Sequence, residues 1–244
     1  MRLDLGGAFA DAAALWRADR DLIVRIAGVF LFLPILALAM LATGIALPEQ
    51  AAPEQVREAV GAFYQANLVW VLLISVMLDY GAFALLRLFL QRGESVRELL
   101  LGSLVRLLPF VLIGLAVGAL MQLGFTLLII PGIYVFGRTW LMGPAYAASP
   151  ESGLLGAVER GFRLSARNGW RIALAGSGLA IVAGAAVFAL LIVTQLLTAA
   201  AGDAPWAQAL FLVPVAAAGA AGFTAFTVLR VAVYRALAGS SNGT

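Results

Sequence analysis

Six long apolar runs, each closed by arginines, acidic residues or a proline-containing break, constrain this chain more than any other feature. About 20 apolar residues are needed to cross the hydrocarbon of a bilayer as a helix. Backbone that meets lipid must satisfy its own polar groups, so runs of this length are read as helices. They fall at about 23–46, 66–90, 104–130, 131–148, 170–200 and 206–233. The sequence therefore predicts an all-α polytopic membrane protein with six transmembrane helices in a single membrane domain, 1–244.

Composition agrees. Of the 244 residues, 63% are hydrophobic and 12% charged, against about 45–50% and about 25% for a soluble domain, so too little polar surface exists to cover the chain in water. The first run could pass for a signal peptide, but it is too long for an h-region and four aspartates precede it; it reads as a retained first span. Every basic residue is arginine, and cysteine and histidine are absent. Disulfides, thiol nucleophiles, Cys/His metal sites and histidine acid–base chemistry are thereby excluded.

The arginines set the expected orientation. Arg2, Arg17, Arg20 and Arg25 precede or open the first span; Arg87, Arg92, Arg97 and Arg106 fill or flank the second loop. Arg160, Arg163, Arg167 and Arg171 fill the fourth loop, and Arg230 and Arg235 close the last span. The opposite side carries Arg57 among Glu49, Glu54, Glu58 and Asp203. The positive-inside rule then places both termini in the cytoplasm. Trp170 and Tyr234 at the inner boundary, and Trp70 and Trp206 at the outer one, suit aromatic belts. With no solvated basic stripe beside stacking aromatics, the basic excess points to lipid headgroups and not to nucleic acid.

Two loop segments read as interfacial helices, about 7–20 and 150–166. In the second, Ser149 is an expected N-cap, Pro150 opens the helix, and Leu155, Val158 and Phe162 share a face away from Glu159, Arg160, Arg163 and Arg167. In the first, Phe9, Ala12, Ala13 and Trp16 form the apolar face. The segments "WRADRDLIVRIA" and "FRLSARNGWRIA" align at one offset, and "ESVRELLLGSLVRLLPF" repeats the pattern loosely. Three units are inferred, each an interfacial helix followed by a two-span hairpin.

Two charges interrupt the apolar runs. Asp79, in "SVMLDYGAFALLR", lies about 13 residues into the second span, near mid-bilayer at about 1.5 Å per residue. Arg138 lies about seven residues into the fourth, roughly 10 Å deep. A charge at such depth costs about 2.5–3.5 kcal/mol on insertion scales, so each needs a partner, and the two are candidates for a mutual ion pair. The pair either fixes the register of two spans or binds an anionic headgroup or polar solute, with Ser75, Thr139 and Gln122 as candidate additions to a polar lining. Around Arg138, Pro131 and Gly132 read as a tight break between antiparallel spans, with Pro131 opening the fourth, and Pro144 and Pro214 as bends. Gly114/Gly118, Gly176/Ala180/Gly184 and Ala218/Gly222 have small-xxx-small spacing and are expected to pack helices within the monomer.

The stretch from "LLIIPGIYVFGRTWLMGPAYA" through "GAVERGFRLSARNGWRI" resembles the membrane domain of the glycerophosphodiester phosphodiesterase family and the YciC-type inner-membrane proteins grouped with it. The resemblance is carried by Pro131, Gly132, Tyr134, Arg138, Pro144, Ala157, Arg160, Leu164, Asn168, Trp170 and Arg171, with Gly161 in place of a usual serine. It covers about a fifth of the chain. In the family's namesakes catalysis belongs to a separate soluble barrel that this chain lacks, so the resemblance implies architecture and a link to envelope lipids, not phosphodiesterase activity.

Enzyme templates fail. There is no HExxH, P-loop, GxSxG or paired intramembrane carboxylate. The expectation is a non-enzymatic inner-membrane protein, without metal or cofactor, that binds or organises membrane lipids or a membrane-protein partner. The alternative is a transporter or channel for a small amphiphilic or anionic solute.

Overall fold

The computed structural model describes residues 2–45, 52–91, 93–201 and 204–241. Ala46, Glu49, Arg92 and Asp203 lie outside them. Twelve α-helices and no strand are found among the described residues: α1 Leu5–Ala18, α2 Arg20–Ala27, α3 Leu33–Ala42, α4 Pro53–Ala66, α5 Leu68–Leu90, α6 Val96–Val105, α7 Leu107–Leu127, α8 Ile129–Thr139, α9 Met142–Ala148, α10 Gly153–Ser165, α11 Gly169–Ala200 and α12 Pro205–Ser241. A π-helical turn, Gly28–Phe32, joins α2 to α3.

Five helical stretches are long and apolar enough to cross a membrane: Arg20–Ala42, Leu68–Leu90, Leu107–Leu127, Gly169–Ala200 and Trp206–Gly239. Their outer faces expose large side chains such as Leu108, Leu115 and Leu123 on α7 and Ile181, Val182 and Phe188 on α11. A water-soluble monomer does not carry an apolar surface of this extent.

The expected fourth span is the exception. Residues 131–148 form the latter part of α8 and all of α9, interrupted at Trp140–Leu141. The break that starts this return lies at Leu128, whose backbone is extended (φ −168°, ψ 158°), and not at Pro131. Pro131 instead sits in the first turn of α8, where an N–H has no intrahelical acceptor, so proline costs nothing there. The α7–α8 hairpin closes tightly because Gly124 and Gly132 face each other; a Cβ on Gly124 would lie 2.9 Å from the Gly132 Cα. At the other end the Tyr146 hydroxyl donates to the Arg106 carbonyl at 3.4 Å. Together α8 and α9 therefore run back along the length of α7.

Helix α9 is the centre of the molecule: residues Met142 to Ala147 are all buried, against α5, α7, α10 and α12. The Phe83 ring stacks on Phe110 at 4.6 Å and on Tyr146 at 5.6 Å, tying α5, α7 and α9 together. Pro34 has no N–H for the Phe30 carbonyl, and the π-helical turn lies immediately before it. There α5 comes close, since a Cβ on Gly81 would lie 3.0 Å from the Phe30 carbonyl oxygen.

The amphipathic helices are packed parts of the fold. Helix α10 buries Ala157, Gly161 and Ser165, one small residue per turn, with Gly161 close against the Met142 backbone. Of its expected apolar face, Val158 and Phe162 are half-buried against the core, while Leu155 is 85% exposed. Small residues win this contact because they let backbones approach where larger ones would hold them apart. Helix α1 packs on α12, and its start is pinned: the Leu3 N–H donates to Asn168 Oδ1 at 2.8 Å and Arg171 Nη1 donates to the Leu3 carbonyl at 2.6 Å. Helix α4 is an addition that the acidic loop composition did not suggest. Of the expected close-packing residues, Gly176 meets Phe136 and Trp140, and Gly222 meets Ala183, but Gly114, Gly118 and Gly184 face open space.

Candidate functional site

Asp79 is the twelfth of the 23 residues of α5, hence at mid-span. It is partly buried. The cation whose charge reaches it is Arg230 of α12, and Asp79 is the anion that reaches Arg230. The two are not in direct contact: among the described residues, the ion pairs with N–O separations within 4 Å are Arg87–Glu94 and Arg163–Glu159.

Arg230 is held in place by a helix defect. In an unbroken helix the N–H of residue 144 would close on the carbonyl of residue 140, but Pro144 has no N–H. The Trp140 carbonyl is left free at the α8–α9 break, and Arg230 fills the vacancy: Nε donates to it at 3.1 Å and Nη2 at 2.9 Å. Gly143 makes room for the guanidinium, since a Cβ there would lie 2.7 Å from Nη2. A buried carbonyl without a donor and a buried guanidinium without an acceptor are each costly, and here one offsets the other.

Arg138 does not pair with Asp79. The residue lies two positions before Trp140, but α8 turns its side chain toward α10 and α11, where the guanidinium carbon sits 5.5 Å from the Phe162 ring centroid. Its aliphatic stem packs beside Gly169, at the start of α11; a Cβ on that glycine would lie 3.2 Å from the Arg138 Cδ. The expected pair rests on depth along the helices, and depth carries no information about which way a helix faces. Arg138 Nη1 is buried without a hydrogen-bond partner, as are Trp140 Nε1 and Tyr234 Oη. Ser165 fixes the local backbone, its hydroxyl lying 2.8 Å from the Arg138 carbonyl and 2.9 Å from that of Gly161. Ser75 and Gln122 are exposed and do not join a lining; the Thr139 hydroxyl is taken by the Val135 carbonyl at 2.9 Å.

The other arginines sort by environment. Arg87 is 1% exposed, and its Nη2 donates to both Glu94 oxygens at 2.7 and 2.8 Å and to Gln91 Oε1 at 2.9 Å. Arg160 donates to Ser149 Oγ at 3.1 Å and lies over the buried Tyr234 ring, so Tyr234 is a core residue and not part of an aromatic belt. Arg235 donates to the Phe89 carbonyl. Of the basic set on and after α10, Arg171 is engaged with Leu3, while Arg163 and Arg167 remain exposed.

Sequence reasoning missed the inward roles of Arg87 and Arg230, which it placed at membrane boundaries. The available signals were local: Gln91 four residues and Glu94 seven residues after Arg87, and Arg230 three residues inside its own span. No group of three or more acidic side chains that could hold a metal is found among the described residues. No protein-family profile, curated protein or solved structure matches this chain.

Proposed function

We propose that this protein is a non-enzymatic, multi-pass protein of a bacterial inner membrane, with both termini cytoplasmic, that binds membrane lipids through their anionic headgroups. The observation that carries the reading is the Arg138 Nη1, buried without an acceptor beside Phe162 and the start of α11. Arg138 as a whole is half-buried; a guanidinium N–H withdrawn from water without an acceptor is costly, and a phosphate or carboxylate oxygen is the partner that it fits best. The exposed Arg167, just past α10, and Arg163, which also pairs with Glu159 at 3.5 Å, supply further positive charge for the headgroup layer or a membrane-protein partner. The likeness to the phosphodiesterase-family membrane domain adds support for a lipid-linked role only.

Native mass spectrometry with lipid identification tests this. Wild-type protein is expected to retain an anionic lipid that Arg138→Gln loses while remaining folded. Unchanged lipid content, with a lowered melting temperature, would make Arg138 a structural residue and end the proposal.

A second reading, transport of a small polar or amphiphilic solute, is favoured by one observation: Asp79, at mid-span of α5, and Arg230 lie close enough for their charges to interact without direct contact. It predicts water access to Asp79, measurable by cysteine labelling around that position in a chain with no native cysteine.

A further inference from the structure

A cleft of about 620 Å³ opens between α3, α11 and α12, on the side of the molecule where α11 ends and α12 begins. This volume lies within the range of about 300–1,000 Å³ typical of small-molecule sites. Its chemistry is graded from one end to the other. Thr43, Thr194, Gln195, Thr198 and Gln208 line the end near the α11–α12 connection. Ile35, Val187 and Gly219 line the other end. The gradient recurs on α11 and α12, over about 16 Å from Val187 to Thr198 and from Gly219 to Gln208 at about 1.5 Å per residue; after α3, Thr43 adds one hydroxyl at the same end, followed by Ile45.

Among the described residues the polar end is neutral, since none that line the cleft carries a charge. Three of its hydroxyls donate to backbone carbonyls, Thr43 to Met40, Thr194 to Phe211 and Thr198 to Thr194. They keep only acceptor capacity for a ligand. The amides of Gln195 and Gln208 have no hydrogen-bond partner among the described residues and offer both donors and acceptors. Gln195 is exposed and Gln208 half-buried, so both present free donors and acceptors at the mouth of the cleft for water or a ligand head.

We propose that this cleft binds one single-chain amphiphile with an uncharged, hydrogen-bonding head. The head, a hydroxyl-bearing group of the glycerol or alcohol type, meets Gln195 and Gln208; the tail lies along the apolar half toward Gly219. A phosphate head would find no cation among the described residues here, which separates this site from the one at Arg138, and the two stand or fall independently.

The test is native mass spectrometry of the full chain in detergent, titrated with monoolein and, in parallel, with oleoyl lysophosphatidic acid. Monoolein is expected to bind saturably at one equivalent and to weaken at least tenfold in Gln195→Leu/Gln208→Leu. Leu191→Trp, which places bulk in the cleft from a position 37% exposed, is expected to block it. Arg138→Gln is expected to leave monoolein binding unchanged while reducing the lysophosphatidic acid adduct. Thermal unfolding of each variant establishes that it is folded, and Leu191→Trp provides the answer if the double substitution is not. Equal monoolein binding by all folded variants, absence of a saturable adduct, or tighter lysophosphatidic acid binding that depends on the two glutamines would each overturn the proposal.

Discussion

At the scale of residues, one missing N–H organises the middle of the molecule. Pro144 frees the Trp140 carbonyl, Gly143 admits the guanidinium, and Arg230 supplies the donors with Asp79 as its distant counter-charge. Double-mutant cycles in thermal unfolding separate this arrangement from the pairing that span depth suggests. Asp79→Asn with Arg230→Gln is expected to couple by about 0.5–3 kcal/mol, and Asp79→Asn with Arg138→Gln to add within about 0.5 kcal/mol. Coupling to Arg138 alone would reverse the assignment. Arg87 gives a second contrast. Glu94→Gln leaves a guanidinium 1% exposed without its carboxylate and is expected to cost about 2–3 kcal/mol, at the lower end for a buried pair because Glu94 is 30% exposed. Adding Arg87→Met should recover most of that loss, since an apolar side chain needs no partner. Both arginines were visible in the sequence only as boundary charges, because hydropathy treats an arginine near a span end as one that reaches for water. What kept them inward are tertiary partners, a freed carbonyl in one case and a loop carboxylate in the other.

At the scale of elements, small residues decide which helices touch. Gly161→Ala drives a methyl group against the Met142 backbone, 2.9 Å from its Cα, and is expected to destabilise by about 1–3 kcal/mol. Gly114→Ala and Gly118→Ala meet nothing within 4 Å and should be neutral or slightly stabilising in a helix interior. Unfolding midpoints of the three variants give the order directly; a loss at Gly114 equal to that at Gly161 would contradict the packing described. The spacing rule found Gly176 and Gly222 correctly and Gly114 and Gly118 incorrectly, because a pattern of small residues states what a face permits and not what lies opposite. The start of α6 adds a pH-sensitive cap. The Ser95 hydroxyl and backbone N–H both donate to Glu98, which holds its carboxyl below the usual carboxylate value. A folded value below the unfolded one makes the contribution full above the unfolded value and lost as pH falls through the folded one. Hydrogen-exchange protection of the Ser95 amide should therefore decline on acidification past that range, and protection that does not change with pH would remove the cap's titration from consideration.

At the scale of the whole molecule, the three short helices α1, α6 and α10 occupy comparable places along the chain. Helices α1, α6 and α10, of 14, 10 and 13 residues, are each separated by a short break from an apolar helix that follows. Each also packs on the long or buried helix that precedes it in cyclic order: α6 on α5, α10 on α9, and α1 on α12, the last closing the ring. The all-helical character and most helix positions were legible in the apolar runs, since length and hydropathy alone specify them. The α8–α9 segment was not, because a run of apolar residues does not reveal that its helix is broken, with α9 enclosed by protein and the start of α8 exposed. Whether that segment completes a crossing fixes the sidedness of everything after it. Because α8 and α9 retrace α7 from Gly124 to Arg106, the segments on either side of this hairpin should emerge on one face of the membrane. Single cysteines at the exposed positions Arg97 and Glu159 are then expected to react with an impermeant maleimide from the same side, and Trp206→Cys from the other. If Arg97→Cys and Glu159→Cys react from opposite sides, α8–α9 does not cross, the five long helices are the full set of spans among the described residues, and the two termini lie on opposite faces.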